Sequence, residues 1–140
     1  MNFTTGGQRT FTAAYSGDQN FASSKSAKFT ETILAPALKA SPASLSFAAR
    51  KVGTTSPSKQ IVVTNSGTAA LAVSSITIVG DFALAATTTC TSGIVLAPAG
   101  TCNIEVTFTP TATGTRAGSV QLVDTAATSP QTIAMTGSGN

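Results

Sequence analysis

The sequence predicts an all-β fold: an antiparallel β-sandwich of about seven strands, with an extra β-hairpin at the N-terminus. Three observations predict it. Apolar residues recur with a period of two, and the spacing typical of helices is nearly absent. The 140-residue chain is divided at short intervals by 12 Gly and 6 Pro. Strand-like segments follow one another about every 10 to 15 residues, which leaves no room for crossover helices.

The first 34 residues are predicted to form two strands joined by a turn. Phe11 and Tyr15 share one face of the first strand, and Phe29 and Ile33 share one face of the second. The intervening Ser-Gly-Asp-Gln-Asn at residues 16–20 has turn chemistry. Because an isolated hairpin is marginal in water, this segment should pack on the main domain, complete another chain, or be the end of a truncated domain.

Residues 35–42 are interpreted as a linker. Pro36 and Pro42 bracket this segment, and each proline restricts the residue before it.

Residues 43–140 supply the core positions of the predicted sandwich. One irregularity stands out, because Leu71 and Val73 alternate in one phase whereas Ile76 and Ile78 alternate in the other. This change of phase predicts a β-bulge or bend at Ser74-Ser75. The remaining inward positions are Leu45, Phe47, Ile61, Val63, Phe82, Leu84, Ile104, Val106, Phe108, Val120, Leu122, Ile133 and Met135.

Composition excludes several classes of function. The chain has no His, which excludes His-based catalysis and zinc sites that use imidazole. Its net charge of +3 and the single adjacent basic pair Arg50-Lys51, with no aromatic beside it, argue against nucleic-acid binding. No apolar stretch approaches the ~20 residues that span a bilayer. The first residues lack the features of a signal peptide, so the protein is either cytosolic or a piece of a longer chain.

The carboxylates do not suggest an active site. Asp18, Asp81 and Asp124 each lie near a predicted turn, where an Asp side chain accepts hydrogen bonds from backbone N–H groups. No two acids are paired as a glycosidase requires, and no Asp-x-Asp-x-Asp cluster offers the oxygens that Ca²⁺ needs. The sequence therefore predicts no catalytic residue, metal site or cofactor.

An ordered set of motifs runs through residues 45–139. It resembles the choice-of-anchor D domain of bacterial surface proteins, which is related to the ASH (ASPM/Hydin-like) and major-sperm-protein-like immunoglobulin folds. The matching positions are Leu45-x-Phe47, residues 52–56, Asn65-x-Gly67, Leu71, Gly80-x-Phe82, Cys90, residues 98–102, Ile104-x-Val106-x-Phe108-x-Pro110, Gly114 and residues 136–139.

Residues 11–18, with Phe21 and Ser23-Ser24, resemble the last two strands of a bacterial Ig-like repeat. Together the two resemblances imply an Ig-like sandwich at residues 43–140, a linker at 35–42, and the C-terminal hairpin of a truncated Ig-like repeat at 1–34. They also imply a secreted or cell-surface protein whose signal peptide lies outside this segment.

The family pattern and the oxidising compartment that it implies favour a disulfide between Cys90 and Cys102. Pro98 and Gly100 can turn the intervening chain back, and a loop this short would stabilise the fold by about 3 kcal/mol in the chain-entropy model. Two buried thiols are the alternative. A nucleophilic Cys is excluded because no His can activate it.

The function expected from these features is that of a non-catalytic spacer or stalk module, joined to neighbouring Ig-like domains of the same longer chain. The alternative is an adhesion module that binds protein or glycan, or a fibre subunit that assembles by strand complementation. Arg50 and Lys51 are either a solvated bend that protects a sheet edge or a surface contact for an acidic cell-wall polymer.

Overall fold

The computed structural model describes residues 6–140, and all the regular secondary structure in this range is β. Residues 1–5 of the predicted hairpin segment lie outside the described residues. The strands are β1 (Gly7–Phe11), β2 (Ala14–Tyr15), β3 (Ser24–Lys25), β4 (Phe29–Ile33), β5 (Leu38–Ser41), β6 (Ser44–Ser46), β7 (Lys59–Asn65), β8 (Leu71–Val79), β9 (Phe82–Leu84), β10 (Val95–Leu96), β11 (Thr101–Phe108), β12 (Gly114–Asp124) and β13 (Gln131–Gly139).

Strands β5 to β13 form a sandwich of two sheets. One sheet has the order β10-β8-β12-β13-β6, and the other has the order β5-β7-β11-β9. Neighbouring strands are antiparallel except β6, which runs parallel to β13. The prediction of an all-β antiparallel sandwich is confirmed. The sandwich has nine strands rather than about seven, because short edge strands such as β10 are too brief to leave a detectable alternation.

The core lies between the two sheets and uses the predicted inward residues except Leu84, which is 38% exposed. Ile61, Val63, Ile104 and Val106 are completely buried. Phe47, Phe82 and Phe108 pack against one another, with ring centroids 5.0 to 5.7 Å apart. Burial of this many apolar side chains is the main stabilising contribution to such a domain.

The bulge predicted at Ser74-Ser75 is confirmed in the pairing of β8 with β12. Val123 pairs with Ser75, but the next residue, Asp124, pairs with Val73, so Ser74 has no opposite residue. The Ser74 hydroxyl donates to the Val123 carbonyl at 3.0 Å. The extra residue changes the phase of the strand, and both halves of β8 therefore face the core.

The linker interpretation is wrong for residues 38–41, which form β5 at the edge of the four-stranded sheet. Leu38 and Ala40 pack against the core, and Lys39 pairs with Thr64 of β7. Proline is tolerated beside an edge strand, so prolines at both ends did not prevent strand formation.

Residues 7–33 form a two-stranded ribbon, as predicted for the N-terminal hairpin. β1 pairs with β4, and β2 pairs with β3 nearer the tip. Phe11 lies opposite Phe29 and Gly7 lies opposite Ile33, so these residues share one face. Phe29 is 62% exposed and Phe21, at the tip, is 69% exposed. The ribbon therefore presents apolar surface that the sandwich does not cover.

Candidate functional site

The base of the ribbon is attached to the sandwich by hydrogen bonds. We call this contact, between residues 35–37 and the β7–β8 turn at residues 65–69, the joint. The Thr68 amide donates to the Ala35 carbonyl at 2.9 Å, and the Ala35 amide donates to the Thr68 hydroxyl at 3.2 Å. The Ser66 amide donates to the Ala37 carbonyl at 2.8 Å. Part of the segment predicted to be a linker is therefore fixed in place.

The close approach of the two segments depends on Gly67. A Cβ atom at this position would lie 2.7 Å from the Pro36 carbonyl carbon, and closer still to Ala35 O and Ala37 N. These are backbone atoms, which cannot move aside as the end of a flexible side chain can. A larger residue at position 67 would therefore push residues 35–37 away from the turn.

Asn65 is completely buried and holds the joint from inside. Its side-chain amide donates to the Ala69 carbonyl at 2.8 Å and to the Leu96 carbonyl at 2.9 Å. Its side-chain oxygen accepts from the Gly67 amide at 3.0 Å and from the Ala37 amide at 3.4 Å. The sequence indicated only local turn chemistry at Asn65-x-Gly67, and these longer-range contacts were missed.

Cys90 and Cys102 form a disulfide, with their Cα atoms 5.0 Å apart and both residues buried. The loop that the bond closes contacts the backbone of Asn65. The Asn65 amide donates to the Gly100 carbonyl, and the Ala99 amide donates to the Asn65 carbonyl, each at 2.9 Å. The disulfide loop and the joint are thus neighbours on one end of the sandwich.

Arg50 lines a cleft of about 270 Å³ formed by residues 47–50 and 56–59, which we call the cationic cleft. Its Nη2 donates to the Thr55 carbonyl at 2.9 Å. Lys59 lines the same cleft; its Nζ donates to the Ser46 carbonyl at 2.7 Å and lies 5.6 Å from the centre of the Phe47 ring.

Lys51 is exposed and follows Arg50 in the chain, but it does not line the cleft. Lys59 was not predicted from the sequence to be a site residue. The available signal was the absence of any Asp or Glu between Glu31 and Asp81.

Asp18 caps the ribbon turn, as predicted for an aspartate near a turn. Its Oδ1 accepts from the Asn20 amide at 2.8 Å and from the Phe21 amide at 2.9 Å. A hydrogen bond from the Tyr15 side chain, followed by these two backbone bonds, lowers the pKa of Asp18.

Asp81 binds a partner that the sequence did not predict. Its carboxylate forms an ion pair with the Arg116 guanidinium and accepts a 3.0 Å hydrogen bond from the Thr111 amide. The hydrogen bond from Arg116, then that from the Thr111 amide, lower the pKa of Asp81 to about 2. This pair links the β8–β9 connection to β12.

Asp124 is buried, with 8% of its surface exposed. Its Oδ1 accepts from the Ala126 amide at 2.7 Å, but its Oδ2 has no hydrogen-bond partner among residues 6–140. Burial raises the pKa of this carboxyl. Asp124 caps the turn after β12, which is a structural role.

The described residues contain no group of three His, Cys, Asp or Glu side chains that could hold a metal ion. In the same part of the chain, no helix has the length and apolarity needed to cross a bilayer.

Comparison with solved structures supports an Ig-like fold of the PapD-like type. The ASH/PapD-like domain 7 of human CEP192 is 14% identical, with a TM-score of 0.57 over 76% of this chain and 87% of that one. A protein of unknown function from Porphyromonas gingivalis W83 is 11% identical, with a TM-score of 0.62 over 99% of this chain and 68% of that one. The secreted serine protease VesC from Vibrio cholerae is 14% identical, with a TM-score of 0.55 over 76% of this chain and 23% of that one.

Comparison with curated protein sequences finds no match. A sequence model of the ASH family, described as "Abnormal spindle-like microcephaly-assoc'd, ASPM-SPD-2-Hydin", matches residues 30–132. The narrower assignment to the choice-of-anchor D group stays a prediction. Because the match covers most of the chain and the sandwich has the fold of a solved ASH domain, the chain belongs to the ASH family.

Proposed function

We propose that this chain is a non-catalytic spacer module of a longer, secreted or cell-surface protein. ASH domains are commonly structural or protein-interaction modules. The observation that carries the proposal is the joint, where Ala35 and Thr68 exchange hydrogen bonds and Gly67 lies against the incoming chain. A spacer can hold its neighbour at a set angle only if the connection between them is stiff. A free linker would average over many angles.

The neighbour in this proposal is an Ig-like domain that packs on the exposed apolar face of the ribbon. Phe11 and Phe29 form a cross-strand pair on that face, and they are 37% and 62% exposed. Residues 1–34 would then be the last hairpin of the preceding Ig-like unit, and residues 43–140 would be the module that follows. The Cys90–Cys102 disulfide supports an extracellular location, since disulfides persist in oxidising compartments.

The experiment that tests the proposal measures whether the ribbon and the sandwich tumble as one body. Residual dipolar couplings of backbone amides are measured by NMR for the wild type and for Gly67→Val. In the wild type, amides of β1 and β4 should fit the alignment tensor of the sandwich. In Gly67→Val the added side chain displaces residues 35–37, so the ribbon should require a separate tensor while the sandwich core stays folded.

The control variant is Gly93→Ala. A Cβ atom at Gly93 meets nothing within 4 Å, and the Gly93 amide donates to the Val73 carbonyl of β8 rather than to a residue of the joint. Its positive φ of 86° makes the substitution locally strained, but the ribbon and sandwich should keep a common tensor. Separate tensors in the wild type would contradict the spacer proposal, because the connection would then be flexible.

A second function, as a subunit that assembles through the ribbon, is favoured by the same exposed Phe11–Phe29 pair. Self-assembly predicts that the average mass in light scattering rises with protein concentration. Phe29→Ser should abolish the rise, whereas Thr30→Ser, on the opposite face of β4, should not. A monomer at all concentrations would argue against this alternative.

A further inference from the structure

The cationic cleft concentrates positive charge without neutralising it. Arg50 and Lys59 both line the cleft, and exposed Lys51 is next to it in sequence. In residues 6–140 the one ion pair is that of Arg116 with Asp81, so no carboxylate in this range lies within 4.0 Å of these three cations. Uncompensated cations grouped in a concave site attract anionic ligands.

The two cleft cations are held in place but keep most of their donors. The guanidinium has five N–H groups, and one bonds the Thr55 carbonyl. The Lys59 ammonium has three, and one bonds the Ser46 carbonyl. The other donors have no protein partner in the described part of the chain. Because the side chains are already oriented, a bound anion would order them at a reduced cost in entropy.

The size and backbone hydrogen bonding of the cleft favour a ligand that inserts one small unit, rather than an extended peptide that binds through its backbone. Peptides that bind by strand addition need free backbone hydrogen-bonding groups at a sheet edge. Here the Phe47 and Arg50 amides face β13 and donate to its carbonyls at 2.8 and 2.9 Å, and the Ser46 carbonyl already accepts from Lys59 Nζ at 2.7 Å. A cleft of about 270 Å³ is slightly smaller than the roughly 300 Å³ at the lower end for small-molecule pockets. It suits one small unit of a polymer.

We propose that the cationic cleft binds a carboxylate-bearing sugar unit of an acidic polysaccharide. The Arg50 guanidinium presents its planar fork to the carboxylate, and the Lys59 ammonium adds a second charge-assisted hydrogen bond. Residues 48 and 49, which are both alanine, form an apolar wall against the sugar ring. This site is independent of the joint and of the spacer function.

The test is an NMR titration of the ¹⁵N-labelled chain with tetragalacturonate, a tetrasaccharide that carries one carboxylate on each sugar. Its neutral counterpart galactotetraose and the peptide tetraglutamate are titrated in parallel. Tetragalacturonate should shift the amide signals of residues 47–50 and 56–59, and galactotetraose should not. Raising NaCl from about 50 to about 300 mM should weaken the binding, because salt screens exposed charges.

Two double variants separate the cleft from the overall charge of the protein. Arg50→Gln with Lys59→Gln should weaken binding by about tenfold or more, as expected for loss of charge-assisted hydrogen bonds. Lys25→Gln with Lys28→Gln removes the same charge from the ribbon and should leave the affinity unchanged. The shift pattern in the wild type tests the site even if the cleft variant does not fold.

Three results would overturn the proposal. The first is the absence of any shift with tetragalacturonate, and the second is equal weakening by both double variants, which would indicate general charge attraction. The third is binding of tetraglutamate as tight as that of tetragalacturonate, since the cleft would then recognise acidic peptides rather than a sugar acid.

Discussion

The buried side chain of Asn65 gives the sharpest test of the interactions that stabilise this fold. Asn65→Ala removes two hydrogen bonds donated by Nδ2, at 2.8 and 2.9 Å, and one accepted from the Gly67 amide at 3.0 Å. The fourth, from the Ala37 amide, is long at 3.4 Å and should matter less. At about 1 kcal/mol for each good bond, the free energy of unfolding should fall by about 3 kcal/mol.

Asn65→Asp distinguishes the donor role from a simple packing role. The new carboxylate keeps the size of the side chain but points an oxygen at the Ala69 and Leu96 carbonyls, where Nδ2 donates in the wild type. Burying an unpaired charge against acceptors should cost more than losing the bonds, so this variant should be destabilised by about 4 kcal/mol or more at pH 7. Protonation restores a donor, so part of the loss should be recovered at pH 3.

The assay is urea denaturation followed by far-UV circular dichroism, at pH 7 and at pH 3, always relative to wild type at the same pH. Asn103→Asp is the matched control, because Asn103 lies on the outer face of β11 and its side chain makes no hydrogen bond within residues 6–140. It should change stability by no more than about 0.5 kcal/mol. If Asn65→Asp is as stable as Asn65→Ala at pH 7, then Nδ2 does not act as a donor and the reasoning is refuted.

Three further predictions concern the disulfide and two carboxylates. Replacing Cys90 and Cys102 by Ser should lower the free energy of unfolding by about 3 kcal/mol in urea denaturation, because the unfolded chain regains the freedom of the closed loop; an unchanged midpoint would contradict this. Since Arg116 lowers the pKa of Asp81 to about 2, the melting temperature should fall as pH drops from about 4 to about 2, and Arg116→Gln should flatten that dependence. Burial raises the pKa of Asp124, so its protonated form favours the fold. Asp124→Asn should therefore melt above wild type at pH 7 and close to it at pH 3, and a lower melting temperature at pH 7 would exclude this reading.

Strands could be predicted where apolar and polar residues alternate within a single segment of the sequence. Ile104, Val106 and Phe108 alternate without interruption, and burial of all three follows from the two-residue period of a strand. The bulge at Ser74 was predictable for the same reason, because a change of phase within one strand must be absorbed by an extra residue. Such features depend only on neighbours in sequence.

The joint and the cleft were not predictable, because each depends on contacts between distant segments. Asn65-x-Gly67 indicates a turn, but nothing local indicates that residues 35–37 cross over Gly67. The two prolines suggested a linker at residues 35–42. The strand within it, β5, is so short that Leu38 and Ala40 are its only inward residues, which is too few to show an alternation. Lys59 lines the cleft because residues 51–58 fold back and bring it near Arg50. The alternation of apolar residues does not predict the course of such a loop.

Asn65 also explains why the joint and the disulfide loop occupy one end of the molecule. Its backbone bonds Ala99 and Gly100 in the loop, and its side chain bonds Leu96 in the loop and Ala37 at the base of the ribbon. A short turn alone would be free to move with the ribbon, because turns at the surface have few buried contacts. Here Asn65 bonds the turn to a loop that the disulfide already restricts, so the turn cannot follow the ribbon. Bending at the joint must then break the hydrogen bonds that Thr68 and Ser66 make with Ala35 and Ala37. The stiffness that a spacer requires can thus arise from one buried amide placed between two constrained segments, without a large interface between domains.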